Sequence, residues 1–183
     1  MISILLLGLI NAFLIPLFVY SLWRQNKYFS FLTTPLSFAR KTHTRQQYVL
    51  YFIIGTLLEG IFLFLLFYFF ELRSFLLLTI TVIGLISSAL IGLTTSHSVR
   101  KFHTNIAIFF ILIMILWSFV FHILLFSISP IHNLFGLALS GMALVGIPYF
   151  YFKMKSIGYS ELYFILVLTL WNILMSTLYF IHY

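Results

Sequence analysis

Three glutamates and no aspartate form the whole acidic complement of this 183-residue chain, and one of them, Glu59, stands deep inside an apolar stretch. Glu59 lies eleven residues into a stretch that begins near Tyr48. A helix rising ~1.5 Å per residue places it ~16 Å deep, near the middle of a hydrocarbon core of about 30 Å. A charge at that depth costs at least ~2.5–3.5 kcal/mol, so the carboxyl group is expected to face other helices, protonated or paired. Two uses follow. It is either a proton-coupling or ligand-binding group, or a hydrogen-bonding acid that ties helices together through Asn172 or a serine. Asn11, Ser87, Ser88 and Asn172 fall at similar depth in other stretches, which gives five residues for a midplane polar layer.

The remaining chemistry is sparse. Ser118, His122 and Ser140 read as interhelical polar residues. His103 and His122 are nineteen residues apart, or ~28 Å along a helix, so one haem cannot use both. His43 and His97 fall in polar gaps and His132 and His182 at stretch ends, so no cofactor is expected and haem is disfavoured. Ala138-Leu-Ser140-Gly141 resembles the serine motif of rhomboid proteases. Its only candidate base is His182 at an outer edge, while Ser140 lies eight residues inside its stretch, so a serine hydrolase ranks third among the functions. The absence of aspartate disfavours an Asp-rich metal site. No stretch has a central lysine for a retinal Schiff base, and no cysteine is present for thiolate metal sites or thiol redox chemistry.

These residues must be held by membrane-spanning elements. Hydrophobic residues make up 63% of the chain and charged ones 7%, which excludes both a soluble domain and disorder. Six apolar stretches, 1–23, 48–70, 75–95, 106–127, 132–152 and 161–182, are each about as long as a transmembrane helix requires. Arg24, Lys27, Arg40, Lys41 and Arg45 share the first gap, Arg100 and Lys101 the third, and Lys153 and Lys155 the fifth; Arg73 alone lies elsewhere. The positive-inside rule then turns those three gaps to the cytoplasm or an organelle's matrix and both termini to the other side. The expected fold is one all-α, polytopic bundle of six transmembrane helices.

The net charge of +7 flanks the stretches, so it is read as attraction to anionic lipid head groups, not to nucleic acid. Gap 24–47 brackets Phe29, Phe31, Leu32, Leu36 and Phe38 with basic residues and is read as an interfacial segment broken at Pro35. Tyrosines at the stretch ends, among them Tyr20, Tyr51, Tyr149, Tyr151, Tyr159 and Tyr163, read as interfacial belts. Gly84, Ser87, Ser88 and Gly92 recur along one face of the third stretch, a spacing that favours close helix packing.

Pro35-Leu-Ser37 in the first gap, the run from Gly84 to Gly92, and His103 followed by Ala107 and Phe109-Phe110 are similar to the DRAM-like six-helix membrane family and its bacterial relatives. The resemblance spans about half of the chain and implies a six-helix bundle with a lipid-related role. That family's first loop is generally non-cytoplasmic, whereas the five basic residues here argue for an inward one.

Taken together, the sequence reads as a non-catalytic integral membrane protein, a lipid-interacting scaffold or accessory subunit of a bacterial inner membrane or an organelle's inner membrane. Its partners would be lipids, other membrane subunits or further copies of itself. A small proton-coupled transporter centred on Glu59 is the competing reading.

Overall fold

A computed structural model describes residues 2–25, 45–94, 100–153 and 157–181. They form six helices: α1 (Ile2–Gln25), α2 (Arg45–Phe69), α3 (Phe75–Leu93), α4 (Arg100–Leu124), α5 (Pro130–Pro148) and α6 (Ile157–Ile181). A π-helical turn, Tyr149–Lys153, extends α5. Among the described residues, α2 to α6 contain apolar segments long enough to cross a membrane, from Val49–Phe69 to Tyr159–Leu178. The apolar segment of α1 is the shorter Leu5–Ser21. The chain is an all-α, multi-spanning membrane-like bundle.

Short connections make successive helices from α2 to α6 run antiparallel. Ser74 caps α3 by accepting the amide of Leu77 at 3.2 Å. The end of α2 is closed by the Leu72 amide reaching back to Phe67 at 3.0 Å, with Glu71 in the left-handed region at φ 50°. Pro130 opens α5, where its missing amide hydrogen costs nothing.

Each helix packs against its neighbours in sequence, and α6 closes on α1, so the six make a ring. Lipid tails are as apolar as these side chains, so close packing and interhelical hydrogen bonds must hold the ring. Three glycines give the closest approaches. Gly8 abuts Ser176 and Phe62, Gly136 abuts the His122 ring, and Gly146 abuts Tyr163. Gly84 is different: a methyl group there would meet Ile113 and Met114 at an ordinary 3.4 Å.

The ring has two unlike halves. One end carries the basic gaps; towards the opposite end the interior is filled by Phe62, Leu66, Trp117, Phe121, Trp171 and Met175. Trp117 stacks on Phe121 at 4.7 Å and meets Trp171 edge-on at 5.2 Å. Towards the basic end the interior is not filled.

Several sequence expectations change here. α4 begins at Arg100, not at 106, which brings His103 into its first turns. α6 begins at Ile157, not at 161, so Glu161 is a half-buried residue inside the helix and lines the interior. Tyr51 and Tyr151 turn inward, with Tyr51 stacked on Phe18 at 4.5 Å, whereas Tyr163 packs on Gly146 of α5 and its hydroxyl donates to the Met142 carbonyl at 3.2 Å. Tyr20 and Tyr149 are exposed. Most of gap 24–47, with Lys27, Pro35, Ser37, Arg40 and Lys41, lies outside the described residues, as do Lys155 and His182.

Candidate functional site

The unfilled half of the ring is a cavity of about 340 Å³, lined by residues from all six helices and therefore axial. α2 contributes Glu59 and Thr56, α6 contributes Asn172 and Glu161, α1 contributes Asn11, and α3 contributes Ser88. The walls are otherwise largely apolar and aromatic, with Phe18, Phe52, Phe110 and Phe164 among them. Its size lies at the lower end of the range usual for small-molecule sites.

The deepest polar residues form one level. Asn172 Nδ2 donates to Glu59 Oε2 at 3.3 Å. Gly8 abuts Ser176, and the Thr169 hydroxyl donates to the Ala12 carbonyl at 3.0 Å, which fixes the register of α1 against α6. Asn11 lies between the two points on α1 and Asn172 between them on α6, so the two amides are level. Asn11 is 8% exposed and Asn172 is 1% exposed. Four of their buried atoms have no hydrogen-bond partner: Asn11 Oδ1 and Nδ2, Glu59 Oε1 and Asn172 Oδ1. When Glu59 is ionised its partner must donate, so Asn172 turns its amide nitrogen to the carboxylate and its oxygen is the unpaired atom.

Several other interhelical polar groups among the described residues are paired. Ser118 and Ser140 join α4 to α5 at 2.6 Å, and Ser140 also donates to the Gly136 carbonyl at 2.9 Å. Trp117 Nε1 donates to Thr81 at 2.6 Å, and Thr56 pairs with Ser88 at 2.7 Å. His122 is fully buried; its Nε2 accepts from Trp171 Nε1 at 2.8 Å. The proton is therefore on Nδ1, which donates to Asn133 Oδ1 at 2.8 Å. Asn133 Nδ2 in turn donates to the carbonyls of Leu125 and Ser129, each at 2.8 Å, and pins the α4–α5 turn.

Of the five residues expected in a midplane layer, Glu59, Asn11, Ser88 and Asn172 line the cavity. Ser87 does not. It is buried, but its hydroxyl returns to the Ile83 carbonyl of its own helix at 2.8 Å. Neither Ser118, His122 nor Ser140 lines the large cavity, and both ring nitrogens of His122 are engaged by protein groups. Arg24 is exposed at the end of α1; the side chains of Arg45, Arg100 and Lys101 lie outside the described residues. The sequence reading missed Glu161, Thr56, Asn133 and Trp171. A short α4–α5 connection would have signalled that His122 and Asn133, equidistant from it, stand level.

Among the described residues no group of His, Cys, Asp or Glu side chains is arranged to hold a metal ion. Compared with protein-family models, curated proteins and solved structures, the chain gives no significant match.

Proposed function

We propose that this chain is a small-molecule-binding membrane protein of the carrier type, with Glu59 as the group that binds ligand and couples to protons. One observation carries the reading. The axial cavity ends on a level of buried polar atoms left unpaired, whereas Trp117, Ser118, His122, Asn133 and Ser140, away from it, have partners. An unsatisfied buried polar atom costs about 1–3 kcal/mol. A purely scaffolding bundle has no use for that cost, whereas a binding site recovers it when a ligand supplies the missing partners. The hydrolase reading is the weakest, because the Ser140 hydroxyl is already committed to Ser118 and Gly136.

In this reading α1 is the sixth span, its packing against α2 and α6 giving it the same role as the others. The end with nine of the ten basic residues faces the cytoplasm of a bacterial inner membrane and touches anionic head groups. The cavity then belongs to the cytoplasmic half, and the aromatic filling separates it from the other side.

Native mass spectrometry of the protein extracted in mild detergent from its own membrane tests this. The expected result is a monomer or homo-oligomer retaining a small molecule that Glu59→Gln loses while the fold stays intact. Stoichiometric foreign subunits on a chain with no retained molecule would favour the accessory-subunit reading and overturn this one.

A further inference from the structure

The polar level and the walls together define what kind of molecule the cavity takes, an inference that rests on the binding reading above. With Glu59 ionised, three unpaired oxygens at the deep end accept hydrogen bonds, Glu59 Oε1, Asn172 Oδ1 and Asn11 Oδ1, against a single unpaired donor, Asn11 Nδ2. Exchanging oxygen and nitrogen on Asn11 leaves that balance unchanged. A ligand matched to this level must mainly donate.

Charge gives the same direction independently. Two of the chain's three carboxylates, Glu59 and Glu161, line this one cavity, whereas no described lysine or arginine does. The aromatic walls add to it, since ring faces attract cations. Phe18 and Tyr51 are stacked, and Phe110 and Phe164 meet edge to face at 5.8 Å.

The cavity also reaches the outer surface of the ring. Ile108 and Leu112 of α4, Leu144 of α5 and Phe152 of its π-helical extension line it, yet they are 44%, 53%, 49% and 73% exposed. Those faces look onto lipid. A molecule with an apolar body can therefore reach the cavity between α4 and α5 without crossing the aqueous phase.

We infer that the cavity binds a lipophilic amine: an ammonium head donates to Glu59, Asn172 and Asn11, and an apolar body lies along the aromatic walls towards the α4–α5 surface. No covalent step is involved.

Equilibrium dialysis on the full chain in phosphatidylcholine nanodiscs, corrected with empty discs, tests this with decylamine, decanol and decanoate. Decylamine is expected to bind saturably and more tightly than the other two. Glu59→Gln should weaken it about tenfold or more, as loss of a charge-assisted hydrogen bond implies. Ala107→Trp, which fills the cavity from its α4 wall, should abolish binding. Thermal unfolding of both variants at the wild-type temperature establishes that they are folded, and glutamine can still accept from Asn172. If decanol or decanoate binds as well as decylamine and Ala107→Trp removes that binding, the amine inference falls while the binding reading stands. If no probe binds saturably, or if Ala107→Trp changes none, both fall.

Discussion

His122 and Glu59 show how the same residue-level rule yields opposite roles. Each is a titratable side chain placed among apolar neighbours, where every polar atom needs a partner. His122 has both: the indole of Trp171 on one nitrogen and Asn133 on the other. Glu59 has one oxygen paired and one unpaired. The first is a structural lock. His122→Phe keeps an aromatic ring, slightly larger, but leaves the Trp171 donor and the Asn133 acceptor unpaired, so it should destabilise the fold by about 1–3 kcal/mol. Thermal unfolding in detergent should show a clear drop in midpoint, and Asn133→Leu, which strands the same histidine, a comparable one. The expected depth of Glu59 was legible from counting along helices, which left Asn172 or a serine as its partner; the structure gives Asn172. That Asn172 would be left with an unpaired oxygen was not legible, because hydrogen-bond satisfaction depends on side-chain geometry across three helices.

At the scale of elements, the sequence pattern of small residues identified helix-packing faces but not where contact is tightest. Gly84 and Gly136 look alike in a list of small residues. In the ring Gly136 lies against the His122 ring, whereas Gly84 has room for a methyl group. Gly136→Ala should therefore cost about 1–3 kcal/mol through displacement of His122. Gly84→Ala should stay within about 0.5 kcal/mol of wild type in the same unfolding measurement. The α2–α3 turn makes a second, local prediction. Glu71 is the one described non-glycine residue with positive φ, at 50°. Glu71→Gly should relieve about 1 kcal/mol of strain and raise the unfolding temperature, whereas the β-branched Glu71→Val should lower it.

For the whole molecule, orientation and cavity are linked. The absence of native cysteine makes single-cysteine labelling clean. In intact cells a membrane-impermeant maleimide should modify Glu71→Cys, at the end opposite the basic gaps, and should reach Lys153→Cys only after permeabilisation. The reverse pattern would turn the cavity to the non-cytoplasmic half and remove the basis for a cytoplasmic binding site. Equal labelling of both in intact cells would argue against a ring that spans the membrane in one orientation.

Composition and the spacing of apolar stretches alone determined that the chain is a multi-spanning helical bundle, because backbone groups in hydrocarbon have no alternative to internal hydrogen bonds. The positions of the basic residues likewise set an expected orientation, and helical rise placed Glu59, Asn11 and Asn172 near one depth. Only the tertiary structure decided what those residues face. Closure of α6 on α1 turns six helices into a ring with an interior. The bulky side chains of Trp117, Phe121 and Trp171 then fill one half of it, leaving the other half as a cavity with Glu59 at its base. Depth is a one-dimensional property that a sequence carries. Which side of a helix meets an interior, and whether that interior is filled, depends on how six volumes pack together.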